Sequence, residues 1–230
     1  MIQLIKDLFE RYGMARYADH AEAFATLYSE LLLVNESMNL TAITDPEGVI
    51  VRHFIDSLTV VDKIPQNATV IDVGCGGGFP TLPLAIVRPD LTLTALDSTA
   101  KKLTFVDRMA KKLSLRVTTL AARAEEIPAY RESFDVCVSR AVARMHLLTE
   151  LCLPQIKVGG IFIAMKAQSG EEELREALGG IEKLGGRVVA TDAFTLADAG
   201  ERYLITVEKI TPTPAAYPRP WGKIKKKPLS

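Results

Sequence analysis

Val70-Ile-Asp-Val-Gly-Cys-Gly-Gly-Gly-Phe-Pro-Thr-Leu-Pro83 is an apolar run that ends in Asp72 and opens into closely spaced glycines. It reads as a strand turning into a nucleotide-binding loop. Glycine tolerates positive φ and carries no Cβ, so the backbone at Gly74, Gly76 and Gly78 can turn sharply and approach a ligand. The apolar residues that follow, Phe79, Leu82, Leu84 and Ile86, suit a buried helix, with Pro80 and Pro83 in its first turn.

Downstream, Leu91–Leu96 is rich in β-formers and ends at Asp97, and 101–112 has the spacing of an amphipathic helix. Further strands are expected at 116–120, 134–139 and 161–165, the last ending at Lys166, with a charged helix over 171–184 and two closing strands at 187–191 and 203–208. This alternation predicts an α/β fold whose sheet is mainly parallel, with one antiparallel edge strand contributed by the closing hairpin. Upstream, residues 1–65 form a helical extension, in which Asp45-Pro46-Glu47 looks like an N-cap with proline at the first helical position. Arg52, His53, Asp56 and Ser57 cluster on the helix that follows, either as a solvated face or as a substrate or cofactor contact. The core is placed at 66–210. The remainder, 211–230, has no periodicity and no acidic residue, and is expected as an extended basic tail rather than a helix.

The chain has 230 residues, 48% of them hydrophobic, and a formal net charge of zero, enough for a sizeable core but not a polycation. Any affinity for nucleic acid must therefore be local. Cys75, Cys137 and Cys152 lack C-x-x-C spacing and are expected as reduced core thiols, and the three histidines show no ligand spacing, so no metal is expected. No stretch reaches ~18 apolar residues and the N-terminus has no uninterrupted apolar region. A cytoplasmic protein without a membrane segment is expected.

The glycines alone are a weak signal, because several ligands use such loops. A dinucleotide fingerprint wants a small residue where Phe79 or Thr81 stands, which disfavours an oxidoreductase, and no Lys-Ser or Lys-Thr completes a phosphate loop. An acidic residue two positions before the run resembles the first motif of class I S-adenosylmethionine-dependent methyltransferases, whose sheet is Rossmann-like. Asp97, about 20 residues beyond the loop, suits a carboxylate accepting the ribose hydroxyls, or else caps the next helix.

With its flanks the chain resembles one family closely: Asn39-Leu-Thr41, Arg52-His53 with Asp56-Ser57, Asp72 to Pro80, Leu96-Asp-Ser98 with Lys101-Lys102, Ser139-Arg-Ala-Val-Ala143 and Tyr217-Pro-Arg219. These look like the RsmG family, also called GidB, bacterial methyltransferases that modify N7 of a guanosine in the 530 loop of 16S ribosomal RNA. The resemblance implies S-adenosyl-L-methionine as cofactor and the small ribosomal subunit or its RNA as partner; a monomer is expected. It places cofactor contacts at Asp72, Gly74, Gly76, Gly78, Phe79, Asp97, Ala124, Glu125 and Arg140. Arg140 is also the leading candidate to meet the base, with a structural ion pair as its alternative, and Lys166 a second candidate for guanine O6 or phosphate. Arg52, His53, Arg219, Lys223, Lys225, Lys226 and Lys227 are candidate RNA contacts, with Tyr217 and Trp221 interleaved; a merely solubilising tail is the alternative. The family usually has glycine where this chain has Thr81, and glycine after Lys166 where it has Ala167. A class I enzyme acting on a small molecule or protein, and an RNA-binding module with a vestigial site, are the competing readings.

Overall fold

Val70, Ile71 and Val73 are apolar residues buried on both faces of β1 (Thr69–Val73), and such a strand belongs in the middle of a covered sheet. In the computed structural model, which describes residues 1–197 and 199–229, β1 pairs in parallel with β2 (Thr92–Asp97) on one side and β4 (Phe134–Arg140) on the other. With β3 (Val117–Ala121), β5 (Ile156–Lys166), β6 (Gly186–Leu196) and β7 (Gly200–Lys209), the sheet has seven strands in the order β3-β2-β1-β4-β5-β7-β6. The chain order reverses at β1 and β4, and open α/β sheets bind ligands at such a switch point, beyond the strands' carboxyl ends.

The closing hairpin is present at the sheet's edge, and its strands run longer than the apolar runs suggest. Its antiparallel member is β7, which lies between β5 and the outermost strand β6. β5 also begins earlier than expected, at Ile156, because its register against β4 shifts between Phe134 and Val136 and lets Gly159 and Gly160 stay within the strand.

Two long helices, α1 (Ile2–Arg11) and α2 (Ala21–Met38), open the chain. They reach the glycine loop through a run of aromatic contacts: Phe9 meets Phe24 edge-on at 5.2 Å, Phe24 lies 5.0 Å from Phe54, and Phe54 lies 6.2 Å from Phe79. At 8% exposure the Glu30 carboxylate binds Lys112 and Arg108, joining α2 to α6 (Ala100–Lys112). Asp45 caps α3 (Pro46–Val49) by accepting the Gly48 N–H at 2.6 Å. The helix then passes through a π-helical turn, Ile50–Ile55, before α4 (Asp56–Leu58). An extra residue in a turn rotates everything after it. Asp56 and Ser57 are buried, so the reading of this cluster as a solvated face does not hold for them, while Arg52 stays exposed.

The remaining helices are α5 (Thr81–Val87), α7 (Met145–Cys152), α8 (Gly170–Lys183) and α9 (Trp221–Lys226). The last corrects the expectation of an extended tail. Ile224 is fully buried and Leu229 nearly so, in the same apolar cluster as α7 and α8. Among the described residues, no helix is long and apolar enough to cross a membrane.

Candidate cofactor and substrate site

Gly74 (φ +77°) and Gly78 (φ +90°) carry the chain out of β1 in conformations that other residues resist. A Cβ on Gly74 would run into the side chain of Val142, and one on Gly78 would lie 2.6 Å from Leu82. Asp72 fixes the start of α5 from below: its buried Oδ2 accepts the Thr81 hydroxyl at 2.6 Å and the Thr81 N–H at 3.2 Å, while Oδ1 has no partner. Burial pushes the Asp72 carboxyl up to about 7, against the pull of the Thr81 hydroxyl. Thr81 thus supplies a hydroxyl that the buried acid uses.

Above the loop opens a cavity of about 500 Å³, a size suited to a nucleoside-containing ligand. Gly74, Gly76, Phe79, Asp97, Ala124, Glu125 and Arg140 line it together. Gly78 and Asp72 lie behind this lining and act on the loop's shape. The Asp97 carboxylate accepts the Gly76 N–H at 2.9 Å and the Thr99 N–H at 2.8 Å, so it bridges the glycine loop to the turn before α6 rather than capping that helix. Glu125 turns its side chain to Arg123, 2.5 Å away, and the Ala124 carbonyl accepts from Gln155. The lining fits an adenosine: glycines at the loop, the Asp97 carboxylate against them, and the apolar Leu96, Ala122, Ala124 and Leu151 on the same cavity.

A second cavity, of about 510 Å³, adjoins the first, with His53, Arg140, Ala141 and Val142 shared between them. Arg140 combines an ion pair with a place on the shared wall. Its Nη1 donates to Asp56 Oδ2 at 2.7 Å and to the Arg52 carbonyl at 3.0 Å, and its guanidinium lies 5.7 Å from the Phe79 ring. The His53 ring stacks on Phe79 at 4.7 Å, and its Nε2 is 2.7 Å from the Thr41 hydroxyl. Burial, and then the Arg140 charge, bring the His53 imidazole down to about 4, so it is neutral at physiological pH.

Lys166 lines the second cavity but is committed: its Nζ donates to the Ala143 carbonyl at 2.5 Å and pairs with Glu173 at 2.7 Å. It ties the loop after β4 to α8. Arg219 is placed differently from the expectation of a phosphate contact, because its backbone and guanidinium both bind the fully buried Glu150. Arg52, Lys223, Lys225, Lys226 and Lys227 are exposed or half-exposed. Asp56, Arg202, Phe194 and Trp221 also line the site. Asp56 sits in the Arg52–Ser57 stretch singled out in the sequence and Trp221 in the basic tail, where it was expected beside RNA rather than at the glycine-loop cavity, whereas Arg202 and Phe194 carry no local pattern that marks them.

The strand order, the glycine loop after the first strand and the carboxylate after the second define a class I S-adenosylmethionine-dependent methyltransferase fold. Solved structures agree: M. jannaschii TYW2 in complex with AdoMet matches with a TM-score of 0.57 at 18% identity over 74% of this chain and 80% of its own. TrmN from Thermus thermophilus matches with 0.54 at 18% identity, over 70% and 53%. Residues 20–202 match the model of the GidB family, rRNA small subunit methyltransferase G, and the chain belongs to that family. Curated relatives named ribosomal RNA small subunit methyltransferase G include one from Staphylococcus carnosus, 49% identical over 90% of both chains, and one from Lactobacillus delbrueckii subsp. bulgaricus, 42% identical over 99% of both.

Proposed function

We propose that the chain transfers a methyl group from S-adenosyl-L-methionine to N7 of a guanosine in the 530 loop of 16S ribosomal RNA, with the donor in the glycine-loop cavity and the base in the second. The observation that carries this reading is the wall of His53, Arg140, Ala141 and Val142 shared by the two cavities, where donor and acceptor can be brought into line. S-adenosylmethionine, when bound, supplies a methyl group on a sulfonium that leaves as a neutral thioether. Guanine N7 offers a lone pair and has no proton to lose, so the protein needs no general base.

The side chains therefore act by placement. Asp97 exchanges the Gly76 N–H for the ribose hydroxyls, Ala124 and Glu125 flank the adenine, and Gly74 and Phe79 bound the methionine end. Arg140, held at one nitrogen by Asp56, presents the rest of its fork to guanine O6. The neutral His53 adds no charge that would repel the sulfonium. Lys166 positions the Ala141–Ala143 loop from behind. Arg52, Lys223, Lys225, Lys226 and Lys227 supply phosphate contacts around the opening.

In this reading 1–65 is a helical extension on a 66–210 catalytic core with a basic segment at 211–230, and the protein works as a monomer in the cytoplasm. The test is incubation with methyl-labelled S-adenosylmethionine and small subunits from cells lacking the modification. Label entering 16S RNA supports the proposal; label appearing only in protein, or in neither, refutes it.

A further inference from the structure

Trp221 opens α9 and is half-buried, and it lines the glycine-loop cavity but not the second one. The same cavity is lined by Ser98, Arg123, Ala124 and Glu125, at or beyond the carboxyl ends of β2 and β3. The Asp97 carboxylate stands against the glycine loop, 2.9 Å from the Gly76 N–H, and Arg123 links the indole to the Ala124–Glu125 wall of the same cavity. A nucleoside whose ribose meets Asp97 and whose base lies by Ala124 and Glu125 therefore comes up against Trp221. The Arg123 guanidinium lies 5.3 Å from the indole and is itself fixed by Glu125.

The ring is held in place from both sides along the chain. Before it, Arg219 is clamped by the buried Glu150, and Arg131 donates to the Thr213 and Tyr217 carbonyls. After it, Ile224 is fully buried, and Leu229 packs so closely that a Cβ on Gly180 would lie 2.9 Å from it. An aromatic wall that is already ordered loses little freedom when a base packs against it.

We infer that Trp221 is an adenine-contacting residue of the methyl-donor site, so that the C-terminal helix completes the cofactor cavity instead of serving only as an RNA-binding tail. The inference rests on the reading of this cavity as the S-adenosylmethionine site. It also assigns the indole to the nucleoside of the cofactor and not to an RNA base.

Trp221 is the only tryptophan of the chain, so its emission reports on this wall alone. The experiment titrates S-adenosylhomocysteine into the full-length protein, following tryptophan fluorescence and, in parallel, calorimetry. Wild-type emission is expected to change and saturate with the calorimetric Kd. Trp221→Ala is expected to bind between about fivefold and about a hundredfold more weakly, the range for losing a base-stacking aromatic, while Trp221→Phe keeps most of the affinity. Silent emission at saturation, together with unchanged affinity in both variants, overturns the inference. So does a Trp221→Ala protein that binds S-adenosylhomocysteine normally and loses affinity for 16S RNA instead. A wild-type protein that gives no calorimetric binding at all overturns the cofactor reading itself, a distinguishable failure.

Discussion

Arg140 Nη1 lies 2.7 Å from Asp56 Oδ2, and the other oxygen of the same carboxylate lies 2.8 Å from Arg202 Nε. Asp56 therefore joins the end of β4 to β7 across the floor of the second cavity, with all three side chains less than a fifth exposed. Removing the acid leaves two guanidiniums close together without their shared counter-charge. Asp56→Ala is expected to cost about 3–5 kcal/mol in urea unfolding. Asp56→Ala combined with Arg202→Met should recover part of that loss; no recovery would mean that Arg202 is held by other groups.

In the proposed function Arg140 meets the base. Arg140→Lys keeps a positive charge but loses the planar fork, so the methyl-transfer rate should fall by roughly a hundredfold, the order of a misplaced reactant. Calorimetry on the same variant should show a much smaller change in S-adenosylhomocysteine affinity. An equal loss in both would make Arg140 a cofactor-holding residue only.

How far the residue pattern could carry these assignments depended on distance along the chain. The glycine loop and the Asp45 cap were legible because each is a local device, in which residue type and backbone conformation nearly determine one another. Asp56 and Arg202 are far apart in sequence, and no short-range periodicity relates them. The π-helical turn also interrupts the regular helical period just before Asp56 and Ser57. Helix α9 was missed for a related reason: prolines and lysines with no apolar period read as an extended tail, and only Ile224 and Leu229 packing against α7 and α8 reveal its buried side.

Thr81 offers a sharper stability test. Thr81→Val preserves shape but removes the hydroxyl that Asp72 accepts, leaving that carboxylate one N–H partner and costing about 1–3 kcal/mol. The midpoint of urea unfolding measures it directly. An unchanged midpoint would show the hydroxyl to be dispensable.

The Asp72 acid also gives a pH dependence. Its pKa rises from 3.8 to about 7 on folding, so between those values the native state holds a proton that the unfolded chain releases. Its contribution to stability is complete below about pH 4 and is lost as pH rises to about 7, at no more than about 1.4 kcal/mol per pH unit. Asp72→Asn, which cannot titrate, should flatten the stability profile over that window. A wild-type profile and an Asp72→Asn profile of the same slope would assign the acid no such role.

The two kinds of basic residue near the C-terminus should separate under salt. Arg219→Ala strands the buried Glu150 and should cost about 3–5 kcal/mol of stability while leaving the salt dependence of RNA binding unchanged. Lys225→Ala and Lys226→Ala should do the opposite: little change in melting, and a log–log salt slope shallower by about 0.7–0.9 for each phosphate that is no longer neutralised. Filter binding across a salt series distinguishes them.

The proposed reaction places the methyl group on one guanine N7. Small-subunit RNA methylated by the purified protein, then treated with borohydride and aniline, should be cut at a single guanosine in the 530 loop, and RNA left unmethylated should not be cut there. Labelled RNA that resists scission, or that is cut elsewhere, would rule out methylation at N7 of a 530-loop guanosine.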